Sequence, residues 1–194
     1  MKNKNYPEQD NRSKGFIILF MTVAAGILIG AVYCTRYNAA NPWIHQYFLP
    51  EYSGNTVYEV FRNTFVSLAA FTVTAFLIGL SAFGQPVGVL MLLYRGFGIG
   101  IAAASAYLSK GLHGIPTVFI LILPECTAAA IISVLAVREL MRLSKSMFMF
   151  IISDSYHTDK SFKLYCLEFI VLIIASLLVA VLATVLNYIF SGLR

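Results

Sequence analysis

Five stretches of the chain are almost uninterrupted by charge, and each has the length a helix needs to cross a lipid bilayer, about 20 residues at 1.5 Å per residue. They fall at 16–34, 64–84, 86–108, 115–138 and 164–190. Punctuation separates them: Asn41-Pro42 and Gly54-Asn55, then Gly84-Gln85-Pro86, then Lys110-Gly111 through Gly114-Ile115-Pro116, and finally a polar run over 154–163. The pattern predicts an all-α fold, a polytopic membrane helical bundle of five transmembrane helices forming a single membrane domain. What remains is a basic tail at 1–15, an aromatic connection at 35–63 and a basic connection at 139–163. Within the last, 143–152 is apolar but too short to cross, which predicts a helix lying in the interface.

Composition removes the main rival. Of the 194 residues, 59% are apolar and 12% are charged, where a soluble domain carries about a quarter charged residues. Neither a soluble domain nor a disordered chain fits these values. The net charge of +5 reports orientation and anionic headgroups, and nothing supports nucleic-acid binding. With five spans, nine basic residues share one side: Lys2, Lys4, Arg12, Lys14, Arg138, Arg142, Lys145, Lys160 and Lys163. Arg36, Arg62, Lys110 and Arg194 take the other side, and Arg95 lies within a span. That asymmetry predicts a cytoplasmic N-terminus and an outside C-terminus. A sixth span over 143–152 would return the C-terminus to the cytoplasm, and its length argues against it.

Candidate chemistry is sparse. There is no HExxH, GxSxG or Walker lysine, and His45, His113 and His157 fall on three different connections. Cys34, Cys126 and Cys166 have no CxxC spacing and read as apolar fillers. An enzyme is therefore not expected, and neither a metal nor another cofactor is implied. The connection at 35–63 carries Trp43, Tyr47 and Tyr52 before Asn63. Such aromatics usually anchor at the membrane boundary, yet this is also the largest surface offered to an extracytoplasmic partner.

Inside the apolar runs two charges stand out. Arg95 lies ten positions into the third run, where an ion costs about 2.5–3.5 kcal/mol on insertion scales, and Glu125 follows Pro124 in the fourth. If those runs form an antiparallel hairpin, their depths differ by about 6 Å, and an intramembrane ion pair or water-bridged contact is expected. The pair either fixes helix register or lines a polar path. Gly26 to Gly30 and Gly96 to Gly100, with Gly98 between, are G-x-x-x-G spacings that permit close helix packing. Pro124 is expected to kink its helix.

The order of these features resembles the stage II sporulation protein M family. The resemblance is carried from about Val57 to Met147 by Val60-Phe61-Arg62-Asn63-Thr64-Phe65, then Gly84-Gln85-Pro86-Val87-Gly88, then Tyr94-Arg95-Gly96-Phe97-Gly98-Ile99-Gly100, and then Ile122-Leu123-Pro124-Glu125. It implies a multi-pass protein of the bacterial cytoplasmic membrane, acting at the sporulation septum during forespore engulfment. Its role there is to recruit peptidoglycan hydrolases, an amidase/endopeptidase and a lytic transglycosylase, with no chemistry of its own. Family members also occur in organisms that form no spores, so a non-sporulation role stays open. A small channel, transporter or permease subunit using Arg95 and Glu125 is the alternative, and the glycine seams leave room for a homo-oligomer.

Overall fold

The computed structural model describes residues 6–36, 57–81, 83–110, 123–153 and 162–191. They form five helices: α1 Tyr6–Arg36, α2 Val57–Gly79, α3 Gly84–Lys110, α4 Leu123–Ser153 and α5 Phe162–Ser191. Four of them, α1, α2, α3 and α5, contain stretches long and apolar enough to cross a membrane. Together they mark a helical membrane protein. The described part of α4 misses that criterion because Glu125, Arg138, Glu139 and Arg142 lie along it.

The proline positions explain several of the helix starts. Pro7, Pro86 and Pro124 each stand in the first turn of α1, α3 and α4. There the missing N–H would have had no intrahelical acceptor, and the fixed φ already suits a helix. Residues 111–122, which precede Pro124, lie outside the described residues, and with them the kink expected at this proline. Glu125, in the same turn, is favourably placed against the positive end of the helix dipole.

Boundaries move in three places. Residues 143–152 are not a separate interfacial helix; they continue α4, with Leu143 and Ser144 buried in the bundle. The physical reason is that no glycine or proline interrupts 125–153, so nothing stops the helix at the expected membrane edge. Val57–Asn63, expected in the long connection, forms the first turns of α2. At the N-terminus, α1 begins ten residues before the expected span and runs for 31 residues, about 46 Å.

Packing makes α4 the axis. It touches the other four helices, while α1 pairs closely with α3 and α2 with α5. Its Ala130, Val134 and Val137 join Leu19 and Val23 of α1 and Leu92 of α3 in one buried cluster. Ile132, Ala136, Leu140 and Leu143 join Ala75 of α2 and Tyr165, Phe169 and Leu172 of α5 in another. Small residues allow this: Ala129, Ala130, Ser133 and Ala136 are all buried, so four neighbours can approach one helix.

The register fixes direction. Gly26 and Gly30 of α1 meet Gly96 and Phe97 of α3 in ascending order, so these helices are parallel. Along α4 the order reverses, because Gly84 and Gly88 of α3 face Ser144 and Val137. Tyr165 near the start of α5 meets Gly79 at the end of α2. The five helices thus alternate in direction. The short connection from α2 to α3 is closed by Ser81, whose N–H and hydroxyl both donate to the Ile78 carbonyl, each at 2.9 Å.

Candidate functional site

Three helices bring polar groups together part-way along the bundle. Arg95, the twelfth residue of α3, donates from Nη1 to the Ser67 hydroxyl of α2 at 2.9 Å. One turn away, the Thr64 hydroxyl donates to Glu125 Oε1 of α4 at 3.0 Å. Thr64 and Ser67 are three residues apart, so they share a face of α2. That face serves as a common rung for the two charges, which lie close enough to act on one another.

Cys126, next to Glu125, completes the cluster; it feels the Arg95 charge as well as that of Glu125. The site has one asymmetry: Arg95 Nε is buried with no hydrogen-bond partner, whereas Ser67, its Nη1 acceptor, is exposed. Two sequential helices enclose this point loosely, because α2 and α3 touch only sparsely despite their short connection. A guanidinium with a free donor beside an open seam can hold an anion, a water or a partner's acceptor.

Thr64 and Ser67 were not singled out from the sequence as site residues. A usable signal was present, since hydroxyls three or four apart in an apolar run commonly hydrogen-bond across helices. Asn63, offered as a partner contact, sits exposed on α2 beside Thr64. Trp43, Tyr47 and Tyr52 lie outside the described residues.

The glycines make a second assembly. A Cβ added at Gly26 would stand 2.5 Å from the Leu93 carbonyl oxygen, and one at Gly96 would run into that of Val23. Gly30 and Gly100 repeat the arrangement one turn on, against Phe97 and Ile27. The two G-x-x-x-G motifs are therefore each other's partners, in parallel, with backbones close enough for weak Cα–H···O contacts. Gly98, about 200° around the helix from Gly96, is off this seam. Tyr33 and Phe97 close its upper part, ring centroids 5.6 Å apart. At the connection between α2 and α3, Gly84 faces the Ser144 side chain, where a Cβ would lie 3.0 Å away, with Gln85 and Pro86 in the turn that follows.

Among the described residues, no three His, Cys, Asp or Glu side chains are grouped to hold a metal. No family model matches the chain, and neither a curated protein nor a solved structure matches it.

Proposed function

We propose that the chain is a non-enzymatic scaffold of the bacterial cytoplasmic membrane, similar in role to stage II sporulation protein M. In this reading it crosses the membrane five times, with a cytoplasmic N-terminus and an outside C-terminus, and it recruits peptidoglycan hydrolases at the septum. One observation carries the reading. Motif residues from separate segments engage one another or the axial helix as packing elements: Gly96 and Gly100 against α1, Gly84 against Ser144, and Arg95 and Glu125 on the shared rung of α2. Polar groups used as struts suit a rigid anchor, whereas a transport path keeps its polar groups open to the permeant.

The direct test is co-purification in mild detergent. A cognate amidase/endopeptidase and lytic transglycosylase should be retained, and both should lose septal placement in a deletion strain. Failure of both would overturn the scaffold. A reporter fused after Arg194 should be active only outside the cytoplasm; cytoplasmic activity would overturn the five-span layout.

A second reading, a channel or permease subunit, is favoured by the unpartnered Arg95 Nε beside exposed Ser67. Flux through the reconstituted protein that disappears with Glu125→Gln would replace the scaffold with it.

A further inference from the structure

α4 touches every other helix, but α1 and α5 share no contact among the described residues. The gap between them is floored by one stripe of α4. Ile131, Leu135, Arg138, Arg142 and Lys145 recur at three- and four-residue intervals and so lie on one side of the helix. On one flank of this stripe, Ala130 and Val134 belong to the cluster with Leu19 and Val23 of α1. On the other flank, Ile132 and Ala136 belong to the cluster with Tyr165, Phe169 and Leu172 of α5. Most of the stripe stays open: Ile131 is 47% exposed, Arg142 and Lys145 are exposed, and Arg138 and Leu135 are half-buried, Leu135 packing with one side against the α5 cluster.

Chemistry divides the groove along its length. Three cations occupy about 10 Å of helix, from the level of Gly88, which faces Val137, to that of Gly84, which faces Ser144. This is the end of the bundle where α2 turns into α3, and where the stretches apolar enough to cross a membrane end at Gly79 and begin at Gly84 and Lys163. Along this length of α4 the acid among the cations is Glu139, 3.5 Å from Arg142, so the helix itself carries a positive excess there. Beyond the cations the floor is apolar at Leu135 and Ile131. A cationic mouth on an apolar channel between helices complements an amphiphile with an acidic head.

We propose that the α1–α5 seam binds an anionic phospholipid, its phosphate held by Arg138, Arg142 and Lys145 and an acyl chain laid over Leu135 and Ile131. The inference rests on the helices lying in a membrane and is independent of the scaffold role.

The test uses the full chain in phosphatidylcholine bilayers with spin-labelled phosphatidylglycerol or phosphatidylcholine as probe. The motionally restricted fraction should favour phosphatidylglycerol by about fivefold, the factor one well-placed basic residue supplies near an anionic surface. R138Q/R142Q/K145Q should abolish the preference, R138K/R142K should keep it, and R36Q/R62Q, which removes charge from the far end, should leave it unchanged. Equal association in the wild type, persistence in the triple variant, or equal loss in the far-end control overturns the proposal. Photoactivatable phosphatidylglycerol on the unaltered protein gives a readout that does not depend on any variant folding. Label must fall in 131–145 or on facing residues of α1 and α5, and label elsewhere overturns the site.

Discussion

The α1–α3 and α2–α5 pairs meet the same demand by opposite means. In α1–α3, side chains are removed: four glycines let two backbones touch. In α2–α5, side chains are enlarged. Phe76, Tyr165 and Phe169 form a ring cluster with centroids 4.7 to 5.3 Å apart, Phe76 stacked on Tyr165 and edge-on to Phe169, and the Tyr165 hydroxyl donates to the Phe76 carbonyl at 3.0 Å. That carbonyl belongs to the last turn of α2, where helix acceptors need outside partners. Lipid tails are as apolar as the side chains they replace, so neither pair is held by the hydrophobic effect alone. What counts is closeness of fit, and a backbone seam has less freedom to adjust than an aromatic one.

That contrast can be broken, most severely at the glycines. Gly96→Leu should separate α1 from α3 and cost more than any single aromatic truncation, while Gly96→Ala should cost the about 1–3 kcal/mol typical of overpacking. Gly98→Ala, off the seam, should cost less than either, as read by unfolding in mixed micelles. If Gly98→Ala matched Gly96→Ala, the seam would not be where the stability resides.

Between the two pairs lies the charged rung. Arg95→Leu alone should be less stable than Arg95→Leu with Glu125→Leu, because a lone buried charge costs more than none. Their coupling in a double-mutant cycle should fall within about 0.5–3 kcal/mol. Equal stability of the single and double variants would remove the coupling between the charges.

On the aromatic side the effects should be smaller. Phe169→Ala would cost about 3–5 kcal/mol in a soluble core. Lipid removes the transfer part of that cost, so the measured loss should fall below this range. Tyr165→Phe keeps the ring and deletes one hydrogen bond, so it should cost about 1 kcal/mol. A Tyr165→Phe loss as large as that of Phe169→Ala would mean that the hydroxyl, rather than ring packing, holds α5 to α2.

Much of this was legible in the chain because it depends on local composition. Uncharged runs of about 20 residues announce helices for lipid wherever they occur, and proline beside a polar turn announces a helix start. The G-x-x-x-G spacings declared close approach, and Arg95 and Glu125 declared themselves by the cost of placing charge among apolar neighbours. These are properties of single segments, and they need no knowledge of what lies opposite.

Which segment lies opposite is a different kind of fact. Nothing in Gly26 or Gly96 names the other as its partner, and α2 and α3, though joined by a short connection, touch only sparsely. The helical continuation of α4 through 143–152, the role of Thr64 and Ser67 as a shared rung, and the open seam between α1 and α5 all arise from setting one central helix against four others. Helix formation follows the nearest few residues along the chain; the choice of neighbour follows the fit of whole surfaces, which only the assembled bundle defines.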